Sequence, residues 1–244
     1  MTAEMLKSIA ELAKAVSWPL LVLILIVTQR KSVTDFLSNL ESLTLPGGIE
    51  AKIRKKVEKE TNAILKEDPR ARERPSERQF EAAERIQRLA NTANPSVVRG
   101  QMDDLAREYE RVKATMPSGD ERTRRMEVIV TKMRTLGLAA APLLNEFAKS
   151  DSPGRRLAPV AVLEVSPNAD YLDWLAKRLD AERPFIGYHA AVALEVAVHA
   201  LDRADQKRIR DAIREAKGYL GPDRTGSDRW KTLDRAEKAL QEAA

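Results

Sequence analysis

The sequence predicts an all-α protein in which an N-terminal transmembrane helix carries a helical-repeat or helical-bundle domain in the cytoplasm. Three observations predict this. Charged residues make up 32% of the chain and aromatic residues 5%, a mixture rich in Ala, Leu, Glu, Lys and Arg that suits helices better than a sheet sandwich. Residues 15–28 read AVSWPLLVLILIVT, without a charge. From Gln79 onward apolar residues recur at helical spacing between Pro and Gly breaks, and no strand pattern interrupts them.

The mean hydropathy of −0.42 hides the apolar run. A span needs roughly 20 helical residues, and the helix reaches that length by starting near Ile9, with Glu11 and Lys14 snorkelling to the headgroups. Trp18 then lies somewhat deeper than an ideal interfacial position with Pro19 beside it, Leu20, Leu23 and Ile26 lie within the span, and Arg30 and Lys31 close it. A buried core helix is the competing reading. A signal peptide fits worse, because Gln29, Arg30 and Lys31 stand where small residues of a cleavage site belong. Positive charge after the run places the C-terminal part inside. The expected location is the bacterial inner membrane, crossed once, with residues 1–31 as tail and span.

Residues 32–66 are expected as juxtamembrane helices. Val33, Phe36, Leu37, Leu40 and Leu43 form one apolar stripe, Leu45-Pro46-Gly47-Gly48 breaks it, and Ile49–Lys66 continues as a charged helix with Ile53, Val57, Ile64 and Leu65 as its apolar positions. Residues 67–78, with two prolines and alternating charge, read as an exposed linker. The order of a Trp-Pro pair, an aliphatic run, Arg-Lys, an amphipathic stretch and LPGGIEAKI resembles the short anchors of small bacterial single-pass membrane proteins. Some of these belong to phage-defence systems. The resemblance covers about residues 15–53 and implies a tether, with no catalytic residue.

In the remaining domain, 79–244, helices are expected over 79–92, 95–115, 120–136, 139–150, 154–165, 169–181, 185–200, 203–217 and 227–243. Two stretches repeat. Leu143–Lys149 matches Tyr171–Lys177, and Pro153 with Leu163-Glu164-Val165 matches Pro184 with Leu194-Glu195-Val196. Helix pairs of roughly 30 residues resemble HEAT-like α-solenoid repeats, which stack to bury what one pair cannot. A plain bundle remains open.

Chemistry is sparse. There is no cysteine, and none of HExxH, GxGxxG, GxxxxGK[ST] or GxSxG occurs; no enzyme activity, cofactor or metal is expected. His189 and His199 project differently from one helix, so a lone His189 beside Tyr188 reads as a packing or hydrogen-bonding residue. Trp174 and Trp230 read as packing residues. The turns 152–156 and 182–188 line up along one edge if the pairs stack, gathering Arg155, Arg156, Arg183 and Tyr188 near helix N-termini. Two readings stand for that edge: an anionic ligand or partner, or arginines pairing with acids around a turn. The net charge of +5 and pI of 9.4 suggest an anionic neighbour. The expected partners are the lipid bilayer, copies of the chain, and a protein or small anionic signal. A nucleic-acid-binding helical-repeat protein is the alternative.

Overall fold

The structure, a computed structural model, describes residues 48–242, and among them every regular element is helical. The expected tail and span, residues 1–31, with Trp18 to Lys31 among them, and the Phe36 stripe lie outside the described residues. Among those described, no helix is long and apolar enough to cross a membrane.

The chain runs through α1 (Gly48–Glu67), a 3-10 turn (Pro69–Arg72), α2 (Glu77–Ala90), α3 (Pro95–Thr115), α4 (Asp120–Thr135), α5 (Gly137–Ala140), α6 (Leu144–Ala148), α7 (Pro153–Leu163), α8 (Leu172–Ala181), α9 (Pro184–Ala200), α10 (Gln206–Leu220) and α11 (Asp228–Glu242). The helix expected over 139–150 is broken into α5, a 3-10 turn and α6, with Pro142 in the turn where its missing amide costs least.

Proline also starts helices here. Pro95, Pro153 and Pro184 open α3, α7 and α9, at the position where an amide has no partner anyway. Asn94 caps α3 by accepting from the Ser96 amide at 2.9 Å. Ser152 caps α7 by accepting from the Arg155 amide at 3.1 Å. α9 has no such cap, because Arg183 stands at its cap position and no side chain there accepts a bond.

From Ile53 onward the residues form one compact unit. α3 packs on α4 and α7, α6 on α7, α8 on α9 and α10, and α10 on α11. The second helices contact in series, α4 to α7, α7 to α9 and α9 to α11. That series explains their composition: α7 from Leu157 to Leu163, and α9 from His189 to Leu194, are buried on every side, so small and β-branched residues fill positions enclosed by neighbours.

Most of residues 67–78 are exposed, but the 3-10 turn within them packs against α4. Ala71 is 1% exposed, and the turn's carbonyls face Arg134 of α4, whose Nη1 donates to Ala71 (3.1 Å) and Arg72 (2.8 Å) and whose Nη2 donates to Glu73 (3.2 Å). A buried guanidinium needs acceptors, and backbone oxygens carry no hydropathy signal in a sequence. Next to the turn, α1 buries Ile53, Val57, Thr61 and Ile64. Gln79 of α2 donates to the Thr135 hydroxyl at 2.7 Å.

Candidate functional site

A cleft of about 1470 Å³ opens between the turn at Glu73 and Arg74, α3, α4, α9 and the start of α11. It exceeds the roughly 300–1,000 Å³ of ordinary ligand pockets. Its cations set its character. Lys113 of α3, Arg122 of α4, Arg183 before α9 and Arg229 of α11 all line it, and none has a carboxylate within ion-pair distance among the described residues. Arg122 donates to the Met116 carbonyl at 3.4 Å and the Ser118 hydroxyl at 2.7 Å, while its buried Nε has no partner. Arg229, 7% exposed, donates to the Leu179 carbonyl at 3.1 Å.

Lys113 is held below lysine's usual range, first by burial and then by the neighbouring Arg183 guanidinium. Arg229 is likewise lowered, by burial and then by Arg224. Glu182 and Glu110 act the other way on Lys113, but burial and the neighbouring guanidinium groups prevail, leaving a local excess of positive charge. The remaining cations of the cleft are neutralised. Arg74 and Arg235 share Glu195, at 3.1 and 3.0 Å, and Lys231 lies 3.7 Å from Asp228.

Aromatic rings wall the same space. Phe185 lies 5.8 Å from Tyr109 at an interplanar angle of 27° and meets the His189 ring edge-on at 4.8 Å. The Tyr109 hydroxyl is raised to about 12, first by burial and then by Glu182, with Arg183 and Arg122 acting the other way.

Behind the cleft lies a buried charge cluster. Glu127, on the cleft wall, places Oε2 3.5 Å from His189 Nε2. His189 Nδ1 lies 3.0 Å from Glu164 Oε1 and 3.2 Å from Arg134 Nη2, and Arg134 pairs with Glu164. Arg134, Glu164 and His189 are each 0% exposed. Burial alone lowers the His189 pKa, but Glu127 and Glu164 outweigh it and raise it to about 9. Protonated, the ring donates from Nδ1 to Glu164 and sets a positive charge 3.5 Å from Glu127, so two cations balance two anions. A neutral ring would turn a lone pair on Glu164 or leave Glu127 unmatched.

The sequence-derived edge is divided by the structure. Arg183 and Tyr188 lie on the cleft. Arg155 pairs with Asp103 (2.9 Å) and Glu146 (3.0 Å), and Arg156 pairs with Glu182 and donates to the Ser150 carbonyl at 2.9 Å. Those two arginines follow the ion-pairing reading. Trp174 stacks against Arg178 at 4.9 Å, and Trp230 lies 5.3 Å from the Lys217 ammonium. Lys113, Arg122 and Arg229 carried no distinguishing mark in the sequence, because three separate helices deliver them. Among the described residues no group of histidines and carboxylates is placed to hold a metal ion. Comparison with protein-family models, with curated proteins and with solved structures found no match to this chain.

Proposed function

We propose that this chain is a membrane-anchored receptor for a small anionic signal. The observation that carries the reading is the set of cations without counter-charges, Lys113, Arg122, Arg183 and Arg229, facing one cleft. Many arginines elsewhere are paired, as with Arg99 and Glu146 (2.9 Å), Arg124 and Glu121 (3.0 Å) and Arg214 and Asp211 (3.2 Å). Nucleic acid requires a basic stripe or patch that tracks a backbone; a concave cluster among paired neighbours favours a small ligand.

The uncharged run at 15–28 supports a single span in the bacterial inner membrane with the receptor domain inside. The serial packing of α4, α7, α9 and α11 supports a HEAT-like stack as the receptor scaffold. Binding would pass to the membrane through assembly of copies along the span and the Phe36 stripe. The likeness of the anchor to those of phage-defence proteins supports an effector role there.

Calorimetric titration of the full chain in detergent with pyrophosphate tests the site. Binding is expected at low salt, weakening as salt rises, and Arg183→Glu or Lys113→Glu is expected to weaken it by about tenfold or more. Pyrophosphate that does not bind, or binds equally to Arg183→Glu, overturns the reading.

A further inference from the structure

The cleft joins two chemistries that a simple anion does not satisfy together. Arg183 and Phe185 flank Pro184 at the start of α9, so one helix terminus presents a cation and an aromatic ring to the same space. That terminus has no side-chain cap, which leaves first-turn amides and the positive end of the helix dipole available to an anion. Phe185 is only partly covered. Tyr109, stacked near-parallel at 5.8 Å and 1% exposed, backs it and fixes its plane. The Lys113 ammonium stands 5.8 Å from the Tyr109 ring, so cations and rings alternate along one wall.

Inorganic phosphate would neutralise Lys113, Arg122 and Arg183 but leave the Phe185 face wet and most of the 1470 Å³ unfilled. A wholly apolar ligand would cover the ring and leave the guanidinium groups desolvated without a counter-charge, the costlier failure. Extending the anion-receptor reading, on which it rests, we infer that the cleft takes an organic phosphate bearing a planar ring, a nucleotide in chemical class, with its ring on Phe185 and its phosphates among Lys113, Arg122, Arg183 and the α9 N-terminus. Arg122, whose Nε has no partner, then gains an anion beside its guanidinium group. Stacking on one aromatic face strengthens binding by roughly 5- to 150-fold, which separates this ligand from a bare polyphosphate.

The test is a calorimetric titration of the full chain in detergent with tripolyphosphate and, in turn, ATP, GTP, CTP and UTP. At least one nucleotide is expected to bind about tenfold or more tighter than tripolyphosphate. Phe185→Leu, which keeps an apolar side chain without a π face, should erase that margin and leave tripolyphosphate binding unchanged; Phe185→Ala should do the same. Arg183→Glu should weaken both ligands. Nucleotides no tighter than tripolyphosphate, or a margin that survives Phe185→Leu in a folded variant, overturn the ring-binding inference while the anion site stands. Failure of tripolyphosphate itself to bind removes the anion site as well. Affinity that climbs with the length of a single-stranded oligonucleotide overturns the small-ligand inference in favour of nucleic acid.

Discussion

At the scale of single residues, Arg134 organises more of the structure than its place in the sequence suggests. It joins the carbonyls of Ala71, Arg72 and Glu73 to Glu164 and His189. A buried ion pair adds little over a well-packed apolar pair, but removing one partner strands the other charge at a cost of roughly 3–5 kcal/mol. Arg134→Ala is therefore expected to destabilise the fold by about that amount in urea unfolding. A loss well under 1 kcal/mol would show that the cluster is not held together as described. His189 adds a pH dependence. Its folded pKa, about 9, stands above histidine's ordinary value of 6.5. The stabilisation is thus fully present below about pH 6.5 and is lost as pH rises through about 9. Thermal midpoints should fall across that window, and His189→Gln should flatten the fall. A wild-type midpoint unchanged over the window would show a neutral ring. The sequence marked His189 as a packing or hydrogen-bonding residue, and the structure gives it that role. Its partners were not legible, since Glu127, Arg134 and Glu164 come from α4 and the end of α7 and meet only through tertiary packing.

At the scale of elements, the internal repeat carries more than apolar spacing. The matching Leu-Glu-Val triplets place Glu164 and Glu195 at equivalent positions, and each holds arginine: Glu164 pairs with Arg134, and Glu195 with Arg74 and Arg235. The repeat was readable because its units share a hydrophobic pattern. The arginines were not, since they arrive from outside the repeating pairs. Glycine separates two packing regimes. A Cβ on Gly154 would collide with the Ala106 carbonyl of α3, where Glu110 accepts from the Gly154 amide at 3.1 Å and from the Ser152 hydroxyl at 2.6 Å. Gly154→Ala should cost about 1–3 kcal/mol, because α7 must retreat from α3. Gly100, within α3, has nothing within 4 Å of a built Cβ, so Gly100→Ala should stabilise by roughly 0.5–1 kcal/mol. Opposite shifts in thermal midpoint are expected from the two alanines. A shift of the same sign would contradict the close approach at Gly154.

At the scale of the whole molecule, the all-α class and most helix limits followed from composition and from Pro and Gly punctuation. The cleft did not, because its walls come from α3, α4, α9 and α11 and the turn before α2. The segment 67–78 was hidden for the same reason: its charges read as solvated, and its role is played by backbone carbonyls under Arg134. This bears on how the helical domain is isolated. A chain beginning at Gly48 retains Ile53, Val57, Ile64 and Ala71, all 4% exposed or less, and is expected to be folded and free of detergent. One beginning at Gln79 loses them and should unfold at lower urea or aggregate. Full-length protein is expected to resist carbonate extraction from membranes, whereas release into the soluble fraction would make residues 15–28 a core helix and remove the anchor from the proposed function.

The proposed anion site is tested most directly at Arg122, whose side chain lines the cleft and whose buried Nε–H has no acceptor. Its arginine side-chain resonance should be followed by NMR as pyrophosphate is added to the wild type and to Arg183→Glu. A saturable shift of this resonance in the wild type, weakened in Arg183→Glu, is expected if an anion seats among Lys113, Arg122 and Arg183. A resonance that stays in place while pyrophosphate binds elsewhere, or fails to bind, would contradict the site.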